Sequence, residues 1–157
     1  MADTPLKPLT ATDIAPRLKP SNYPPEFAVK VEGRIKRQLG DAFGLKNFGV
    51  NLTVLKPGAM SALHHRHGVQ DEFIYILSGH PTVAVDDQEY RMDPGMVMGF
   101  PAQGAAHHLR NDTDEDVTYL EIGDRLPGDS GEYPNDDIMA VRENDQWVFK
   151  HKDGTPY

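Results

Sequence analysis

Cysteine is absent from the 157-residue chain, so no disulfide and no thiolate metal ligand can form, and a reducing cytoplasm is the expected compartment. Long hydrophobic runs are missing too. No stretch approaches ~18 consecutive apolar residues, and the opening MADTPLKPLTATD lacks the apolar region of a signal peptide, so neither a secretory leader nor a membrane span is expected. Basic residues are in deficit, 16 against 24 acidic, for a formal charge of −8. That balance excludes bulk attraction to nucleic acid or an anionic membrane and leaves open a small anion met by a few local cations. No internal repeat or second domain is visible, and the length suits one domain with a core that needs no covalent staple.

What the chain does have is proline at its start and short apolar runs after it. Pro5, Pro8, Pro16, Pro20, Pro24 and Pro25 remove backbone donors and forbid regular ladders. Residues 1–26 therefore read as an extended arm, anchored by Tyr23 and Phe27 on the domain surface or on a neighbouring subunit. The domain itself is expected over 27–150, with a polar tail at 151–157. Phe27–Gly44 is too glycine-punctuated for a long helix, with room for a turn at Ile35–Leu39. Its basic residues Arg34, Lys36 and Arg37 read as a solvated face.

Strand signals follow: FGVNLTVL from Phe48, Met60–Arg66, EFIYIL over Glu72–Leu77, Thr82–Val85, Glu89–Met92, Met96–Phe100, His107–Arg110 and Val117–Ile122. PG, DD, DPG and NDTDED turns separate them, a pattern of short antiparallel strands in a sandwich or barrel. EFIYIL is nearly all apolar, as expected of a strand covered on both faces. Asp124–Asp137 reads as a surface loop, possible at the barrel mouth, and Ile138–Val141 with Trp147–Phe149 supplies a last edge strand.

The chemistry concentrates in PGAMSALHHRHGVQDEFIYILSG. His65 and His67 lie two apart, so an extended strand points both to one face, and Glu72 follows a turn-like Gly68–Asp71. His107 lies in a second stretch bearing glycine and histidine. Imidazole and carboxylate are ligands that Mn²⁺, Fe²⁺, Ni²⁺ or Zn²⁺ accepts, and such a set leaves a position for substrate. His64 is the alternative within the first stretch. His108 alternates away from His107 and reads as a packing or surface histidine. Ile74 and Ile76 share parity with Glu72, as Leu109 does with His107. Gln70, Arg66 and Gln103 are polar candidates for the mouth, and Tyr75 and Tyr119 for hydroxyls facing a ligand.

These two stretches resemble the cupin superfamily. The first cupin motif is similar to Gly58, His65, His67, Glu72 and Gly79, with one extra residue between Gly58 and His65; the second is similar to Gly95, Pro101, Gly104, His107 and Asn111, with one extra residue between Pro101 and Gly104. EIGDRLPGD and HKDGTPY look like a bacterial branch of small single-domain cupins without an assigned function. The resemblance implies an all-β fold, a double-stranded β-helix or jelly-roll barrel, and a divalent ion held by His65, His67, Glu72 and His107. It does not fix a reaction, because the superfamily spans many chemistries. The expectation is a metal-dependent isomerase acting on a sugar-like or hydroxy-carbonyl small molecule, with a dioxygenase or a non-enzymatic sugar-binding module as the alternatives. No catalytic residue is assigned, Gln70 and Tyr75 being orienting guesses. A homodimer is expected, with residues 13–30 at its interface, because an arm without its own core is most easily ordered by a neighbour.

Overall fold

Alternating side chains and closely spaced turns produce strands almost throughout the computed structural model, which describes residues 6–144 and 146–157. The first five residues of the expected arm, with Pro5, lie outside the described residues. The strands are β1 (Arg34–Gln38), β2 (Phe48–Leu55), β3 (Arg66–His67), β4 (Glu72–Ser78), β5 (Thr82–Val85), β6 (Gln88–Arg91), β7 (Val97–Phe100), β8 (His107–Arg110), β9 (Val117–Asp124), β10 (Ser130–Glu132), β11 (Met139–Glu143) and β12 (Gln146–Lys150). One wall is a five-stranded sheet ordered β1-β2-β9-β4-β7. The opposing strands form a four-stranded sheet, β12-β11-β10-β3, and a three-stranded sheet, β6-β5-β8. Isolated bridges Met60–Arg110 and His65–His107 tie the stretch entering β3 to β8. The architecture is the expected jelly roll.

Between the walls lies a core of Leu55, Ile74, Ile76, Val83, Phe100, Leu109, Val117 and Tyr119. Removing a side chain such as Ile74 or Ile76 from water stabilises the fold by about 1.5–3 kcal/mol each. A second apolar cluster joins Phe27, Leu63, Tyr133, Ile138 and Ala140. Pro25 opens a one-turn helix, α1 (Pro25–Ala28), which buries Phe27. Tyr23 packs edge-on against Tyr133 at 5.8 Å and Phe149 at 5.4 Å, so this end of the proline-rich segment lies on its own barrel.

Four expectations are corrected. Ile35–Leu39 is not a turn, because residues 34–38 pair with β2 in full register. Most of Met60–Arg66 has no ladder; only Arg66 enters β3, and the preceding residues depend on the two bridges. Asp124–Asp137 is not simply a surface loop: it contains β10, which pairs with both β3 and β11. EFIYIL is covered on one face only, with Ile74 and Ile76 inside and Phe73, Tyr75 and Leu77 about two-fifths exposed outside. Its aromatic outer residues suit a pleated surface without being buried.

Gly79 ends β4 at φ +77°, and a Cβ there would lie 2.7 Å from the Asp116 carbonyl oxygen. Gly95 also has positive φ, at +89°, but a Cβ there would meet nothing within 4 Å. Gly79→Ala should therefore destabilise the protein more than Gly95→Ala, whose cost is about 1–2 kcal/mol from backbone conformation alone. Urea denaturation of the two variants checks this, equal midpoints being the contrary result.

Candidate metal centre

β3 and β4 meet at the turn Gly68–Asp71, and this turn brings His67 and Glu72 to one side of the barrel interior. His65, just before β3, is held in place by paired backbone hydrogen bonds with His107, 3.1 Å from His65 N to His107 O and 2.7 Å in return. His65, His67 and Glu72 bring one ligand atom each to within 4.8 Å of one another. His107 approaches the same carboxylate. Glu72 Oε2 is 3.6 Å from His67 Nε2 and 3.7 Å from His107 Nε2, too far for hydrogen bonds. Two ligand atoms each about 2.1 Å from one ion in tetrahedral geometry lie about 3.4 Å apart, so the spacing suits a shared cation.

Tautomers follow from what each ring touches. His65 Nδ1 donates to the Leu63 carbonyl at 2.9 Å, His67 Nδ1 to Asp129 Oδ2 at 2.7 Å and His107 Nδ1 to the Ala105 carbonyl at 3.3 Å. All three Nε2 atoms thereby point into the site, and His107 Nε2 is buried without a hydrogen-bond partner among the described residues. An orphaned buried nitrogen beside a carboxylate is what a metal ligand needs and what packing alone would avoid. Phe100 stacks on the His107 ring at 3.6 Å and fixes its plane.

Electrostatics agree with that assignment at His65. Burial holds the His65 ring down to about 3, despite Glu72 nearby, so it stays neutral. Burial opposes a charge on His67, but its hydrogen bond to Asp129 and the nearby Glu72 outweigh burial and hold the ring up to about 10, so an incoming cation has to displace the proton on Nε2. Burial likewise disfavours ionised Glu72, yet His107 and His67 hold its carboxyl well below the usual range.

The alternatives turn elsewhere. His64 Nδ1 lies 3.0 Å from His108 Nδ1, so these two rings engage each other. Arg66 pairs with Glu132 at 2.8 Å on the surface, Gln103 Nε2 donates to the Gly68 carbonyl at 3.2 Å, and Tyr75 sits on the outer sheet face, 40% exposed. None of Arg66, Gln103 and Tyr75 lines the cavity, whereas Gln70 does. Asn111 is a fold determinant, its Nδ2 bridging the carbonyls of Leu55 and Glu115 at 2.9 and 2.7 Å.

The sequence reading missed three features. Asp129 is 1% exposed and also accepts from the backbone of Val69 and Gln70 at 2.9 and 3.2 Å, forming a carboxylate–histidine pair behind the ligand His67. Glu121 faces the cavity, which is about 300 Å³; parity with Val117 and Tyr119 was its available signal. Arg34 and Lys36 line the same cavity instead of forming a solvated face, because alternation on β1 turns them inward.

A jelly roll with a histidine–carboxylate cluster inside it defines a class of metal-binding β-barrel proteins. Residues 51–123 match the cupin domain family. A protein of Silicibacter pomeroyi named as a sugar phosphate isomerase of the cupin superfamily is 38% identical, with 96% of each chain covered and a TM-score of 0.90. A protein of Acidithiobacillus ferrooxidans, provisionally named a sugar phosphate isomerase, is 35% identical over 79% of this chain and 80% of its own, with a TM-score of 0.73. The polyketide cyclase RemF of Streptomyces resistomycificus shares the fold at 18% identity, over 76% of this chain and 79% of its own, with a TM-score of 0.63. No curated protein matches. The chain belongs to the cupin superfamily, and its His65, His67 and Glu72 cluster is able to coordinate a divalent metal.

Protein purified without chelator should carry metal by plasma emission, and the His65→Ala/His67→Ala double variant should carry none. Asp129→Asn should retain the fold and bind metal about 10–100-fold more weakly. Equal, negligible metal in all three would show the cluster to be unused.

Proposed function

We propose that the protein is a metal-dependent isomerase acting on a sugar-like or hydroxy-carbonyl small molecule, with Mn²⁺, Fe²⁺, Ni²⁺ or Zn²⁺ held by His65, His67, Glu72 and His107. The observation that carries this reading is the placement of His65, His67 and Glu72 in a polar cavity that also contains a further carboxylate, Glu121, with His107 Nε2 3.7 Å from Glu72 Oε2. The name borne by the Silicibacter relative supports the same reaction class. A bound divalent ion supplies polarisation of adjacent carbonyl and hydroxyl oxygens.

The chain's own part is to move a proton. Glu72 pairs in register with Gly123 and Ile74 with Glu121, so Glu72 and Glu121 lie diagonally on one face, Cα atoms roughly 7–8 Å apart. Glu121 Oε1 accepts from Lys36 Nζ at 2.6 Å and from Asn51 Nδ2 at 3.2 Å. Both bonds hold the carboxylate in one orientation, and Oε2 takes the proton from the carbon beside the carbonyl and returns it to its neighbour. Tyr133 and Trp147 wall the cavity on the opposite side and limit the water that reaches the transferred proton.

Loading the protein with each ion in turn and screening sugar phosphates anaerobically should reveal isomerisation. Glu121→Gln should lower turnover about 10²–10⁴-fold with metal content unchanged. Turnover that requires O₂ would favour a dioxygenase, and tight ligand binding without turnover under every ion would leave a binding module.

A cytoplasmic location is part of the same proposal, the cysteine-free composition suiting a reducing compartment. No helix among the described residues is long and apolar enough to cross a membrane. It also keeps the homodimer, with residues 13–30 at the interface: Leu18 is fully exposed, and Phe73, Tyr75 and Leu77 present apolar surface on β4. Sedimentation equilibrium should show a dimer at micromolar concentration, and a monomer throughout that range would reject it.

A further inference from the structure

The cavity above the histidines is lined by cations that an acidic chain has little reason to collect. Arg17, Arg34, Lys36 and Arg142 all border it, although the chain's formal charge is −8. Lys36 is answered by Glu121 at 2.6 Å, and the Arg142 guanidinium lies over the Trp147 ring at 5.9 Å. Arg17 and Arg34 differ, because no carboxylate pairs with either among the described residues. Arg17 Nε donates to the Lys19 carbonyl at 2.6 Å and Nη2 to Asn22 Oδ1 at 3.2 Å. Arg34 donates through Nη1 to the Ser61 carbonyl and through Nη2 to the Pro20 carbonyl at 2.8 Å. Arg34 Nε is buried with no hydrogen-bond partner among the described residues.

These contacts orient two guanidinium groups without neutralising them. Burial lowers the Arg17 guanidinium, and the neighbouring Arg34 charge lowers it further, as expected when like charges share one cavity. Two partly desolvated cations and an unused donor cost stability unless an anion answers them, and planar guanidinium forks match the oxygens of a phosphoryl group. Arg17 is positioned by a specific path: its N–H donates to the Lys36 carbonyl at 2.9 Å, and the chain beyond it is pinned by Arg34 on Pro20 and by Tyr23 against Tyr133.

We propose that Arg17 and Arg34 are the seat for the phosphoryl group of the substrate, so that the proline-rich segment preceding the barrel completes the binding site. This assignment rests on the reading of the cavity as a substrate site and deepens it. The substrate then spans the cavity, its phosphoryl group on the arginine pair and its carbonyl end towards His65, His67 and Glu72. The proline-rich segment acts as a specificity element, because the barrel supplies only Arg34 of this arginine pair.

Trp147 is the one tryptophan in the chain and lines the cavity, so its fluorescence reports occupancy. The full-length, metal-loaded protein is titrated with inorganic phosphate, ribose 5-phosphate and ribose, beside Arg17→Gln and Arg17→Lys; Arg34 is left intact because it also supports Ser61 and Pro20. Wild-type protein should bind ribose 5-phosphate at least tenfold more tightly than ribose, and Arg17→Gln should erase most of that difference, a charged hydrogen bond being worth roughly tenfold or more. Arg17→Lys should recover part of it, and plasma emission should find unchanged metal in both variants. Phosphate-independent binding in the wild type, or Arg17→Gln affinities within twofold of wild type, would overturn the assignment. Selective binding of ribose 5-phosphate lost in Arg17→Gln, even without isomerisation of any sugar, sustains the arginine seat while removing the isomerase reading. Isomerisation of unphosphorylated sugars indifferent to Arg17 does the reverse.

Discussion

Glu72 is a carboxylate set against three imidazoles inside a barrel, and much of the local structure answers that one charge. An ion so placed costs several kcal/mol unless it is paired and its neighbours are hydrogen-bonded. Each histidine therefore turns Nδ1 outward to a fixed oxygen, on Leu63, Asp129 or Ala105, and presents Nε2 inward. Asp129 can do this only because β10 draws its loop against β3. The bridge at His65 and the stack of Phe100 on His107 serve the same geometry from the other side.

The interior changes character along its strands. On β9, Val117 and Tyr119 face the apolar core while Glu121, two residues further on the same face, reaches the cavity. On β2, Leu55 belongs to the core and Asn51 to the cavity. The alternation that builds a jelly roll thus delivers, along the unbroken β2–β9 ladder, a dry end that holds the walls together and a polar end able to meet a ligand.

Which of this was legible depended on range. The cluster of His65, His67 and Glu72 could be read because residue type and spacing carry it, and the strands because turns punctuate them. Asp129 could not, since its role exists only once a turn-rich loop is laid against β3, and nothing local distinguishes it from the acidic residues around it. Arg34, Lys36 and Arg37 were read together as solvated because charge runs usually are; pairing with β2 separates them, sending the first two inward. The apolar string EFIYIL misled in the opposite direction, since composition cannot say whether a second layer covers a strand. Arg17 lay in a segment whose prolines announced only that it would form no ladder.

The stretch 60–65 has no ladder of its own, and the ligand it carries faces one from β4 and one from β8. An ion shared by His65, Glu72 and His107 would therefore be a rivet between the two walls. Its binding free energy would enter the folding free energy directly, since unfolded chain cannot reproduce the arrangement. The barrel's mechanical cohesion at the mouth would then vary with the metal supply of its surroundings, and chelation would loosen the entrance before it disturbed the apolar end.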